Sequence, residues 1–389
     1  MAYNFYIPTR IIGERGGLKK LHLQNLPGDK ALVAISCGKS AKQSGSLDSL
    51  LQELKLAGKD YFVFDKIPSN PTTESVSLGA EAARNNNCDF VVALGGGSVM
   101  DASKAIAVVA ANGGSWWNYV AAGTGKGLPV KNKPLPIVAV TTTAGTGSEA
   151  DATSVITNPE TGEKIGFVHP GMFPVLSVAD PELTLGVPPL FTAYQGFDAL
   201  FHATECYLSN KANMMSEMYS LTSAEYIGRY LERAVKDGSD IEAREGMTFA
   251  NTLSGMVMTL SGCMSKHGME HAMSALSPKL AHGAGLIMLA PAYYGHFIDI
   301  HACDEKFIRL AKALGGQNVE EPKDFLTELE KLMAACGVDN LKMSDYGITE
   351  DDFASMADNA ASSMSRVFLN DPVPLFREDC IEIYRKSYR

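Results

Sequence analysis

DFVVALGGGSVMDASKAIAVVAA, residues 89–111, decides the fold of this chain. DFVVAL is a short apolar run of the kind that fills a buried parallel strand. Three glycines follow, and a helical pattern begins at once in VMDASKAIAVVAA. Glycine lets a backbone turn sharply and approach a ligand closely. Ser98 stands where it would cap the new helix. The first turn of that helix offers free N–H groups and the positive end of a dipole, which suits a phosphate. The run is not GxGxxG, so the common dinucleotide fingerprint is absent. A tight structural turn explains the glycines equally well at this level.

Working outward, the same alternation recurs. ALVAIS (31–36), YFVFDKI (61–67), LPIVAVTTTAG (135–145) and VLSVADP (175–181) read as further strands. Amphipathic stretches such as SLDSLLQELKLAG and TESVSLGAEAARNN lie between them. Strands alternating with helices imply a parallel sheet with right-handed crossovers. SVITNPETGEKIGFV (154–168) departs from this and reads as an antiparallel hairpin around a turn. From about residue 186 strand runs stop and long helical patterns take over, with Pro188 and Pro189 marking the change. The expected architecture is a Rossmann-like dinucleotide-binding α/β domain over 1–185 and an all-α domain over 186–389.

Two further βα loops add to the nucleotide reading. TTTAGTGSE (141–149) follows a strand and is rich in hydroxyls and glycine. ISCGKSAKQSG (35–45) is the first βα turn, where an adenosine ribose is expected in a doubly wound sheet. Gly38, Lys39 and Ser40 stand there without a carboxylate to exclude a 2′-phosphate, which favours NADP(H) over NAD(H).

The strongest chemical signal lies in the helical half. GFDALFHATECY (196–207) and KHGMEHAMSALSPKLAHGAG (266–285) hold four of the chain's eight histidines. Asp198 and His202 are one helical turn apart, as are His267 and His271, and His282 follows in a glycine-rich turn. One DxxxH pair is usually an ordinary surface or core pair. A second such pair and a further histidine make a divalent transition-metal centre the better reading.

Composition bounds the rest. The chain has 389 residues, 46% hydrophobic and 20% charged, with a formal net charge of −10. That fits an ordinary soluble globular protein rather than a disordered chain and disfavours nucleic acid or anionic membrane as the main partner. No apolar run approaches the ~20 residues that span a bilayer, and no signal peptide is visible. Seven scattered cysteines form no CxxC and no disulfide framework, so a cytoplasmic protein is expected.

Together these residues resemble the iron-containing (group III) alcohol dehydrogenase family. The likeness rests on NPTTESV (70–76), GGGSVMDASKA (95–105), TTTAGTGSEA (141–150), ADPELTLGVPP (179–189), FDALFHATECY (197–207), and HGMEHAMSA with AHGAG (267–285). It implies a dehydroquinate synthase-like fold with the active site between the domains, and a homodimer or larger homo-oligomer. It implies Asp198, His202, His267 and His282 as metal ligands, with His271 beside the metal as a proton relay. It places Gly96, Gly97 and Ser98 at the pyrophosphate and Asp101 near the nicotinamide ribose. Asn70, Thr141 and Thr142 would line the cofactor groove, and Lys164 would reach the cofactor. The interval from His271 to His282 is one residue longer than the family pattern, so that loop must absorb an extra residue. Gly38 replaces the Asp of NAD-preferring members, again pointing to NADP(H).

The implied reaction is hydride transfer between NAD(P) and a small alcohol, diol or aldehyde. Iron(II) is the expected Lewis acid, with zinc as the alternative. Two other readings are a metal-dependent lyase or cyclase of the dehydroquinate-synthase kind and a non-catalytic nucleotide sensor. The lyase would need a basic pocket, and the ligand helices carry only Lys266 nearby. Phe197, Phe249 and Met256 are candidates for an apolar substrate pocket and equally for helical core.

Overall fold

The strand runs pair as their apolar patterns demand. In the computed structural model, which describes residues 4–389, eight strands form. They are β1 (Arg10–Ile12), β2 (Lys30–Ser36), β3 (Asp60–Ile67), β4 (Phe90–Gly95), β5 (Ile137–Thr141), β6 (Thr153–Asn158), β7 (Glu163–Val168) and β8 (Leu176–Val178). Six make one parallel sheet in the order β1-β8-β5-β4-β2-β3, and β6 and β7 pair as the antiparallel hairpin read from 154–168.

The helices of this half are α1 (Ser40–Gln43), α2 (Ser46–Leu56), α3 (Thr73–Asn85) and α4 (Gly97–Asn112). The near-continuous apolar runs of β2 and β4 follow from cover on both faces. Leu32, Ala34, Val91 and Ala93 pack with Val76 and Ala80 of α3 and Ile106 of α4. Ala31, Val33, Ile35, Phe90, Val92 and Leu94 join Leu47, Leu50 and Leu54 of α2 on the other side.

β1 carries no sequence signal and was not expected. Three residues are too few to show a pattern. It is held by β8 and by Asp180, whose carboxylate accepts from the Gly16 and Leu18 N–H groups at 3.1 Å each.

The second half is helical: α5 (Pro189–Leu208), α6 (Met214–Lys236), α7 (Ile241–Leu260), α8 (Ser265–Leu276), α9 (His282–Asp299), α10 (Asp304–Ala313), α11 (Asp324–Ala335), α12 (Phe353–Ser363), α13 (Ser365–Phe368) and α14 (Arg377–Ser387). Pro189 occupies the first position of α5, where the missing N–H is no loss. The prolines at the boundary therefore start a helix rather than break one. α5 is buried from Phe197 to Leu208 without a solvent face, as an all-round apolar helix must be. Phe201, Tyr294, Phe307 and Phe325 stack edge to face or tilted around it.

The described residues divide into two compact units, Tyr6–Gly186 and Val187–Arg389, the second also taking in Asn4 and Phe5. Phe5 goes with the helices because its ring lies 6.4 Å from Tyr219. Among the described residues no helix is long and apolar enough to cross a membrane.

Candidate metal centre and nucleotide loops

α5 presents Asp198 and His202 one turn apart, with His202 Nε2 3.6 Å from Asp198 Oδ1. α8 brings His267, whose Nε2 also lies 3.6 Å from that oxygen. The Nε2 of His282 makes the same 3.6 Å approach. Three imidazole nitrogens thus surround one carboxylate oxygen at one distance. Ligands about 2.1 Å from a tetrahedral ion stand roughly 3.4 Å apart. Asp198 Oδ1 and His267 Nε2 are buried without a hydrogen-bond partner, a costly state unless a cation completes it. Asp198, His202 and His267 are each 5–6% exposed. The residues therefore fit a divalent ion.

His282 does not sit in a turn. It is the first residue of α9, and the glycines after it serve packing. A Cβ on Gly283 would stand 2.3 Å from the Tyr194 carbonyl oxygen, and one on Gly285 would stand 2.7 Å from Glu270 Cγ. The start of α9 is thus pressed against α5 and α8.

Two carboxylates that the sequence reading passed over orient the imidazoles. Glu205 Oε1 is 2.8 Å from His267 Nδ1, and Glu270 Oε2 bonds His282 Nδ1. Each holds the far ring nitrogen and turns Nε2 toward Asp198. Glu205 Oε2 also accepts from the Met264 N–H at 2.9 Å. A signal existed in the repeated HxxE of HATE (202–205) and HGME (267–270).

Lys266 is not a substrate-facing cation. It is fully buried, with Nζ 3.4 Å from Glu205 Oε1 and 3.1 Å from the centre of the Phe201 ring. Burial pushes its ammonium down to about 7, against the pull of Glu205. Asp371, also passed over, accepts from the Ser265 N–H at 3.0 Å and the Tyr293 hydroxyl at 3.1 Å, anchoring the start of α8. Burial raises its carboxyl to about 7.

The electrostatics are those of a site waiting for positive charge. Burial works to raise the Asp198 carboxyl, but His202, His267 and His282 outweigh it and hold it far below the usual range. Burial drives His202 down to about 4. Burial works against the His267 cation too, yet Glu205 and Asp198 raise it to about 9. His271 is 6% exposed, its ring 5.3 Å from that of His282. It shares a cluster of possible donors with Glu270 and His282 rather than with Asp198. Phe197 is fully buried and packs on Phe201, whereas Phe249 is 45% exposed against Tyr226.

In the α/β unit the glycine turn is a close-packed cradle. A Cβ on Gly96 would stand 2.7 Å from Thr143 Cγ2, and one on Gly97 would stand 2.5 Å from Thr146 Cγ2. The 95–97 turn and the 143–146 loop therefore touch, and Thr142 N–H donates to Gly95 O at 3.0 Å. Gly96, not Ser98, is the N-cap of α4, and no side chain caps the helix. The chain enters the helix two residues earlier than expected, since a bare glycine backbone satisfies the geometry. Ser98 lies in the first turn, beside the amides a phosphate would use.

Thr141 is buried and its hydroxyl donates to Thr143 O at 3.0 Å, so it shapes the loop, while Thr142 is partly exposed. Asp101 is tied into the fold as well: Ser148 Oγ and Val155 N donate to its two oxygens, each at 2.9 Å. Burial raises its carboxyl to about 6 despite Lys104. Lys104 is fully buried and donates to Ser148, Asp151 and Thr153. The hairpin gathers two further candidates. Thr157 of β6 is paired with Lys164 of β7 and donates to Pro71 O, next to Asn70 in its left-handed conformation (φ 54°). Gly38, Lys39 and Ser40 are exposed just past β2. β2 and β4 are sheet neighbours not consecutive in the chain, so both loops flank the switch point where ligands bind in such sheets.

Residues 8–181 match the iron-containing alcohol dehydrogenase family, and residues 192–388 match the C-terminal domain of the Fe-containing alcohol dehydrogenases. The chain belongs to the iron-containing alcohol dehydrogenase family. The 1,3-propanediol dehydrogenase of Citrobacter freundii is 34% identical, covering 99% of this chain and 97% of the relative. The NAD-dependent methanol dehydrogenase of Bacillus methanolicus is 31% identical, over 92% and 93%. An archaeal halo-thermophilic alcohol dehydrogenase from a Red Sea brine pool superposes with a TM-score of 0.94, 34% identity and coverage of 100% and 99%. This chain is a metal-dependent alcohol dehydrogenase, and the lyase and sensor readings are not favoured.

Proposed function

We propose that this enzyme interconverts small primary alcohols or diols and their aldehydes, with iron(II) on Asp198, His202, His267 and His282. The observation that carries the reading is the common 3.6 Å approach of three Nε2 atoms to Asp198 Oδ1. When bound, the ion supplies a Lewis acid for the substrate oxygen and the nicotinamide supplies the hydride acceptor or donor. Glu205 and Glu270 fix the imidazole tautomers. His271 carries the hydroxyl proton between the substrate oxygen and solvent. Backbone N–H groups at Gly97 and Ser98 bind the pyrophosphate at the start of α4.

The same reading takes NADP(H) at least as readily as NAD(H), because Gly38, Lys39 and Ser40 are exposed and none of the three carries a carboxylate that would repel a 2′-phosphate. It also includes a cytoplasmic homodimer or larger homo-oligomer, with seven free cysteines consistent with a reducing compartment. The relatives named for propanediol and methanol support a short-chain substrate.

The test is metal analysis of anaerobically purified protein, coupled to reduction of an aldehyde panel with NADH and NADPH. Stoichiometric iron with turnover lost on chelation and restored by iron(II) is expected. Full turnover in metal-free protein would overturn the reading.

A further inference from the structure

A buried ammonium stands behind the nucleotide turn. Gly97, Asp101 and Lys104 lie along one face of α4, the second and third each about one turn beyond the residue before. Lys104 Nζ donates to Ser148 Oγ at 2.7 Å, to Asp151 Oδ1 at 2.7 Å and to the Thr153 carbonyl at 2.9 Å, which engages all of its protons. A hydroxyl has one proton to give. Ser148 Oγ accepts from Lys104, so its own proton goes to Asp101 Oδ1 at 2.9 Å. The other Asp101 oxygen accepts from the Val155 N–H at 2.9 Å, and the Asp101 carbonyl accepts from Ser154 Oγ at 2.7 Å. The ammonium thereby ties α4 to β6 and to the loop that carries Thr143 and Thr146, the two residues pressed against Gly96 and Gly97. Lys104, Ser148 and Asp151 are at most 3% exposed, whereas Asp101 is only partly buried. Of these four, Asp101 is the one through which the network meets a ligand.

We propose that Lys104 is a positioning residue for the dinucleotide, aiming the Asp101 carboxylate through the Ser148 hydroxyl. The proposal rests on the cofactor reading above and adds to it the group that holds the carboxylate one turn beyond the Gly97 and Ser98 amides. Burial works to neutralise Asp101, and the Lys104 charge opposes it. An ionised Asp101 only accepts hydrogen bonds, which is what a ribose hydroxyl requires of it. Asp151 balances the ammonium in turn, as a fully buried pair at 2.7 Å.

The test uses the full-length protein titrated with NADPH and followed by its fluorescence. Lys104→Met alone would strand Asp151, so the pair is removed together in Lys104→Met/Asp151→Asn. Ser148→Ala cuts the same link with the pair in place. Each should raise the Kd for NADPH about tenfold to hundredfold, the share of one charge-assisted hydrogen bond. Tm, iron(II) affinity and kcat at saturating NADPH should stay near wild type. Asp151→Asn alone should keep the wild-type Kd, because Lys104 still donates to Ser148. Adding Ser148→Ala to the double variant should weaken binding no further, since both changes break one chain. An unchanged Kd in Ser148→Ala, full additivity, or parallel losses of Tm, kcat and iron(II) affinity overturns the role of Lys104 and leaves the cofactor reading standing. A wild type that binds neither NADPH nor NADH overturns both.

Discussion

The metal centre and the nucleotide turn are built from opposite materials. The metal centre uses side chains: one carboxylate and three imidazoles, deeply buried and fixed by Glu205 and Glu270. The nucleotide turn uses backbone, with glycines pressed against Thr143 and Thr146 where no side chain would fit. A site made of side chains reveals its chemistry by residue type and has a strongly biased charge. A site made of amides reveals only that close approach is needed. Losing one side chain should therefore be drastic in the first and graded in the second.

The hardest test of that contrast is His267→Ala. It should abolish alcohol oxidation and lose most bound metal, well beyond the roughly 10–100-fold cost of disturbing an orienting partner. Full metal content with near wild-type turnover would break the assignment. His271→Ala should keep the metal yet lower turnover about 10²–10⁴-fold with an altered pH profile. Metal loss here, with retention in His282→Ala, would mean that the two histidines exchange roles.

Glu205→Gln should retain the ligands and weaken metal affinity by about 10–100-fold, read by chelator competition. An affinity equal to wild type would show that the Glu205–His267 contact does not orient the ring. On the nucleotide side, Gly38→Asp should turn an NADPH preference of about tenfold to hundredfold toward NADH, since one charge-assisted contact contributes roughly 1.5–3 kcal/mol. An unchanged ratio of kcat/KM for the two cofactors would show that this turn does not read the ribose.

The smallest effect is a pH slope. In the metal-free protein His267 is raised from 6.5 to about 9, so a proton occupies it at neutral pH and must leave when metal binds. Apparent metal affinity should rise with pH, by at most about tenfold per unit, and level off above 9. The stability that this proton confers on the metal-free protein is complete below 6.5 and is lost as pH rises through 9. Affinity and metal-free Tm should therefore move in opposite directions between pH 7 and 9.5. A flat affinity profile would place the titrating proton elsewhere.

HxxE shows how far a local pattern reaches. His202 and Glu205 are neighbours on α5, and His267 and Glu270 are neighbours on α8. Each glutamate nevertheless bonds the histidine of the next element: Glu205 bonds His267, and Glu270 bonds His282. The pairing passes from α5 to α8 to α9, and no spacing in the chain encodes it. Pro189 and Ser98 carry a similar lesson. Both were legible as helix-boundary residues, but their positions relative to the first helical residue depended on how neighbouring glycines and prolines set the backbone.

The sequence by itself determined whatever repeats within a few residues. Strand runs buried on both faces, the i, i+4 placement of Asp198 with His202, and the glycine turn after β4 all follow from the periods of strand and helix. The tertiary structure alone decided what depends on distant segments meeting. It made β1 a sheet edge against β8, sent Lys266 inward to Glu205, buried Phe197 while leaving Phe249 exposed, and brought Cys263 to His202 and His267. The physical reason is reach. Propensity and periodicity act through the local backbone, whereas a buried charge or an orphaned nitrogen finds its partner across the packed core, where its desolvation must be compensated.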